Sequence, residues 1–206
     1  MLPRLILVFT AVFLVACGAV SPIQRGTLGS GGLFVDSVKK LPTSRHVTGL
    51  PYPSKCTTGN FNGHALPDRV CTPGAVDAEV IAPSLGNPGN LRGTICARGW
   101  AQSARAPQQE TEPVKRTAMG AYGVRIPMNT VELDHLVPLE LGGSNDVSNL
   151  WPEPSDLPGQ SYHNTKDTVE NTLNRAVCVG TVSLGAAQNA IANNWTTATQ
   201  VLGLSR

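Results

Sequence analysis

The chain is poor in charge and in aromatic rings. Only 15% of its 206 residues are charged and 5% are aromatic. A net charge of +2 gives no strongly basic surface. The balance permits a nucleic-acid ligand but does not argue for one. No two cysteines stand in a C-x-x-C pair, which argues against a structural zinc knuckle. There is no internal repeat. What is plentiful is Gly (21) and Pro (16). That composition predicts a loop-rich fold with a modest core, of a length that favours one domain with extensions.

The N-terminus reads as a targeting signal and is kept out of the fold. Arg4 precedes an apolar run from Leu5 to Val15, shorter than the roughly 20 residues of a membrane-spanning helix. The run ends in Leu14-Val15-Ala16-Cys17, which resembles the lipobox of bacterial lipoproteins. The resemblance implies a signal peptide over 1–16, a lipid (diacylglycerol) on Cys17 and a membrane-anchored protein outside the cytoplasm. Residues 17–32 then form a Gly/Ser-rich tether. The loop-rich segment 33–70 follows, with a short strand at Leu33–Val35. The main domain spans 71–206. His46 and His64 read as exposed loop histidines.

Without Cys17, four cysteines remain: Cys56, Cys71, Cys96 and Cys178. Outside the cytoplasm an even number reads as two disulfides, with three connectivities open. A Cys56–Cys71 bridge would be local, and Cys96–Cys178 would then close a long loop. Thr94-Ile95-Cys96 reads as a short buried strand and Pro113 to Tyr122 as a helix. Val131 to Leu141 reads as two short strands or a bent hairpin closed by Gly142-Gly143. His163 to Val177 is the clearest helix, with Gly180 ending it. Ser183 to Trp195 is a last helix with Ser183 as its cap. Lys115 and Arg116 fit a solvated helix face better than a phosphate contact, and Trp151 and Trp195 fit the core. Glu132 and Glu140 read as solvent-facing.

The chemistry gathers between Val131 and Lys166. Hydrolysis of a phosphodiester needs a base for water, a cation for the developing charge, and parts held in register. His135 titrates in the right range for the base. Asn149 follows the turn, where its amide can fix the loop that carries His135. His163 opens the helix expected to pack on this unit and is positioned to close a metal site with Asp134.

The pattern LDHLVPLELGGSND…NLWP…HNTK resembles the HNH endonuclease family. The elements TPGAV, TICARGW, NLWPEP, KDTVENTLNRAVCVGTVSL and AQNAIANNW widen the likeness to exported or phage-borne bacterial proteins with such a core, over roughly Cys71 to Trp195. The resemblance implies an α+β domain built on a strand–turn–strand–helix metal-binding core. It implies one divalent ion on Asp134 and His163, Mg²⁺ first, with Mn²⁺, Ni²⁺ or Zn²⁺ as alternatives. His135 would be general base, Asn149 the loop-fixing residue and Lys166 the phosphate contact. The substrate would be DNA, cut with little sequence preference. Beside the membrane, no protein partner is inferred. The family's flanking cysteine knuckles are absent, and the spacing from Asn149 to His163 is long, which leaves Asn164, Asp167 or Glu170 as alternative last ligands. The competing expectation is a non-catalytic envelope lipoprotein that keeps the scaffold as an interaction module.

Overall fold

The computed structural model describes residues 38–53, 55–157 and 162–204. The expected signal, the Cys17 anchor, the tether and the strand at Leu33–Val35 lie outside them. The architecture is α+β: small sheets and helices around one core. Three two-stranded sheets are seen among the described residues. Strand β1 (Lys39–Leu41) runs parallel to β4 (Ala75–Asp77). Strands β2 (Gly59–Phe61) and β3 (His64–Leu66) form a hairpin. Its turn is Asn62-Gly63, both at positive φ, as a two-residue hairpin turn requires. Strand β5 (Val131–His135) pairs antiparallel with β6 (Leu150–Pro154), with His135 opposite Leu150 and Asp134 opposite Trp151.

Five helices complete the described fold: α1 (Trp100–Ala104), α2 (Gln108–Ala121), α3 (Lys166–Cys178), α4 (Leu184–Asn194) and α5 (Ala198–Val201). Helix α2 begins five residues before its expected start, so Pro113 lies inside it. There the proline forfeits one ladder bond in an exposed turn. Helix α3 carries Asp167 in its first turn and Arg175 in its last, as the helix dipole favours. Helix α4 is capped by the Ser183 hydroxyl, which accepts from the Ala186 amide at 3.3 Å. Among the described residues, no helix is long and apolar enough to cross a membrane.

The core joins Leu136, Val137 and Leu141 to Trp151, Leu173 and Ile191. The segment before Cys71 enters it as well. Tyr52 is buried and donates its hydroxyl to the Leu150 carbonyl at 2.9 Å. Trp151 and Trp195 are both buried, as expected of core residues. Two expectations are corrected. Thr94-Ile95-Cys96 is a run of turns, not a strand: Cys96 donates its amide back to Leu91 and Ala97 to Thr94, so no extended edge is left to pair. Val131 to Leu141 is one strand followed by a loop, because β5 finds its partner beyond Gly142-Gly143. That loop doubles back so tightly that a side chain on Gly143 would overlap the Val137 carbonyl. Glycine is the residue that fits such a close approach.

Both disulfides form as the local pairing anticipates, Cys56–Cys71 and Cys96–Cys178, at sequence separations of 15 and 82. By loop-closure entropy they contribute about 3 and about 4.5 kcal/mol respectively. Calorimetry of the two double-alanine variants is expected to show the larger loss of stability for Cys96→Ala/Cys178→Ala.

Candidate functional site

Strand β5, the loop after it, β6 and the start of α3 form a strand–loop–strand–helix unit. Asn149 holds the loop. It is fully buried, and all four of its hydrogen-bonding positions are used. Its Oδ1 accepts from the amides of Val137 at 2.9 Å and Ala75 at 3.2 Å. Its Nδ2 donates to the carbonyls of Val137 and Ser144, both at 2.9 Å. One side chain thereby clamps both arms of the loop and ties it to β4.

His135 ends β5 and is 6% exposed. Its Nε2 lies 3.0 Å from Asn145 Oδ1. Both donors of the Asn145 amide are taken, by the carbonyls of Ser44 at 2.9 Å and Ala104 at 2.8 Å. The atom facing the ring is therefore an acceptor, and Nε2 carries the hydrogen. In the neutral ring, Nδ1 is left with the lone pair. Burial pushes the imidazole down to about 4, against the opposing effects of the Asn145 hydrogen bond and the Asp134 charge. At neutral pH the ring is neutral, with its hydrogen on Nε2, and its pKa lies below the near-neutral range expected of the base.

Asp134 takes different partners. Its Oδ2 accepts from Trp151 Nε1 at 2.9 Å and faces Lys166 Nζ at 2.8 Å. Lys166 is the first residue of α3 and is wholly buried. Its ammonium also donates to the His135 carbonyl at 2.9 Å and pairs with Glu170 one turn along. Burial opposes that charge, but Asp134, Glu170 and Glu153 outweigh it and raise the lysine pKa. One ammonium cannot neutralise every carboxylate around it. Burial, then repulsion from Asp134, lifts Glu153 well above the usual carboxylate range, partly offset by Lys166. Burial likewise lifts Glu170 to about 8, against the pull of Lys166. Strand alternation puts Glu132 and Asp134 on one face of β5, opposite Glu153 and Trp151 on β6. Asn164 Nδ2 donates to Glu153 Oε2 at 2.9 Å, and Glu132 is raised by burial and by Asp134.

Several expected roles do not match this geometry. His163 does not meet Asp134. Its side chain is 53% exposed and its Nδ1 lies 4.0 Å from Asp156 Oδ2. The cause is local: the His163 amide donates to Ser155 Oγ at 3.0 Å and its carbonyl accepts from the Asp156 amide at 2.9 Å, which holds it in the loop before α3. Lys166 does not face a phosphate but is enclosed by Asp134 and Glu170. Glu132 and Glu140 are half-buried, not solvent-facing. His64 is half-buried on β3, with Nδ1 3.4 Å from Asp156 Oδ1. His46 is exposed as expected and pairs with Glu110 at 2.8 Å. Arg116 pairs with Glu112 at 3.1 Å along α2.

A divalent ion shared by Asp134 and His163 does not fit these residues. The oxygens expected to face it surround the Lys166 ammonium instead. Among the described residues, no group of three or more His, Cys, Asp or Glu side chains is arranged to hold a metal ion. Of the alternative ligands, Glu170 meets the Lys166 ammonium that faces Asp134, while Asn164 accepts from the Lys166 amide at 2.7 Å. Asn145 and Glu153 carry the site without having been singled out, and Glu170 was expected only as an alternative metal ligand. Glu170 had a legible signal, its position four residues after Lys166 on a helix.

No protein-family model, curated protein or solved structure matches the chain.

Lys166→Met leaves the buried Asp134 carboxylate without its counter-ion. Urea unfolding is expected to show a loss of about 3–5 kcal/mol. The His135 ring gives a pH signature. Below pH 6.5 the unfolded chain takes up a proton that the folded ring refuses, so stability falls as pH drops towards 4. Unfolding measured at pH 6.5 and pH 4 should show the parent losing about 3 kcal/mol more than His135→Asn over that window.

Proposed function

We propose that the chain is an endonuclease of the HNH type that hydrolyses DNA phosphodiesters outside the cytoplasm, with His135 as general base. The observation that carries this reading is the state of His135. Asn145 holds Nε2 as the donor, which leaves Nδ1 unprotonated and, among the described residues, without a hydrogen-bond partner. An imidazole held in one tautomer by a second group is the arrangement a general base requires.

Nδ1 takes a proton from water as the water oxygen bonds to phosphorus; the P–O bond to the sugar oxygen opposite breaks in line, and that oxygen takes up a proton from solvent. Lys166 works at one remove. It fixes the His135 carbonyl and neutralises Asp134 beside the ring. Asn149 keeps the loop closed behind it. The strand–loop–strand–helix order and the adjacent Asp134-His135 pair support the family resemblance. Two disulfides support an oxidising compartment, and with it the exported, lipid-anchored reading of the N-terminus.

The burial of His135 favours a second reading, a scaffold that keeps the unit without cutting. Plasmid nicking separates the two. The purified protein, assayed without metal and with Mg²⁺ or Mn²⁺, is expected to convert supercoiled DNA to open circles. His135→Ala should lower the rate by about 10²-fold or more while its circular dichroism stays that of the parent. Equal rates in parent and variant would remove His135 as the base. An inert parent under every condition would leave the scaffold reading.

A further inference from the structure

The amide that orients His135 also holds the backbone next to a cation. Asn145 reaches from the ring, at 3.0 Å, to the Ala104 carbonyl at 2.8 Å, and the next residue is Arg105. Arg105 caps the C-terminal end of α1 in an extended conformation, with its amide bonded to the Ala101 carbonyl. Ala104 and Ala106 on either side are buried, while Arg105 itself is exposed. The backbone is therefore set on both sides of a side chain that is left in solvent.

The surroundings of that side chain belong to the site. Burial accounts for the raised carboxyls of Glu132 and Asp167 and for the lowered His135 ring. The Arg105 charge reaches all three, opposing the first two shifts and adding to the third. Yet its guanidinium makes no hydrogen bond or ion pair among the described residues. Lys166 is committed to Asp134 and Glu170, and Arg116 to Glu112. An arginine fork with its donors free matches two oxygens of one phosphate.

We propose that Arg105 binds the non-bridging oxygens of the scissile DNA phosphodiester and docks it beside His135. The proposal rests on the hydrolase reading above and gives that reading the substrate contact it lacks, since Lys166 is enclosed.

The test uses the full chain and a short fluorescent deoxyoligonucleotide, with binding followed by anisotropy on the His135→Ala background so that the strand stays intact. Arg105→Ala is expected to weaken binding about tenfold. It should also reduce the slope of log affinity against log salt by about one. Arg105→Lys should recover part of the loss. Arg125→Ala removes an equal charge from an exposed position and should change affinity less than twofold. Unchanged affinity and salt slope in a folded Arg105→Ala variant would overturn the proposal, and if the parent still nicks plasmid, the hydrolase reading stands without it. An inactive parent whose binding still depends on Arg105 would support the phosphate contact and remove the hydrolase. Failure of the His135→Ala protein and of the parent in chelator to bind the strand would overturn the contact directly.

Discussion

A single buried ammonium ties the unit together. Lys166 joins the first turn of α3 to the end of β5 through Asp134 and the His135 carbonyl, and closes on its own helix through Glu170. Burying a charge is costly, and a charge enclosed by hydrogen-bonding oxygens is the form in which it is tolerated. The arrangement fixes the angle at which α3 meets the strands. It also leaves more acid than base in a dry space, so Glu153 and Glu170 hold protons at pH values where exposed carboxylates have lost theirs. The electrostatics of the unit are set by that excess.

Two asparagines do the finer positioning. Asn149 acts on the backbone and shapes the loop between the strands. Asn145 acts on the imidazole and sets its tautomer, while its amide hydrogens draw in the Ser44 and Ala104 carbonyls. Segments far apart in the chain thus converge on one ring. The part before Cys71 is accordingly more than a leader to the domain, since it supplies Ser44 and the buried Tyr52.

Much of this was legible from residue patterns. The apolar spacing of Val169, Leu173 and Val177 marks α3, and Ser183 marks the start of α4. The disulfide pairing is, of three open connectivities, the one built on the local bridge. The Asn62-Gly63 turn was equally readable, yet its hairpin is not among the expected elements, because the flanking residues are too polar to look like strands. The site was legible only in part. An H-x-x-K spacing reads the same whether the histidine or the lysine turns inward. What decides it is the Ser155–Asp156 loop, where hydrogen bonds hold His163 outside and cap the helix so that Lys166 turns in. Asp156 accepts from the Thr165 amide at 2.6 Å and from its hydroxyl at 2.7 Å. Such contacts depend on a loop conformation that no periodicity encodes. Asn145 is hidden for a similar reason, as its partners lie 41 and 101 residues away.

The crowding at Gly143 has a further consequence. At Gly143 the loop between the two site strands meets the Val137 carbonyl directly, main chain against main chain. A residue larger than glycine there would have nowhere to go. The stretch that leads away from the imidazole therefore turns on a position that admits no side chain.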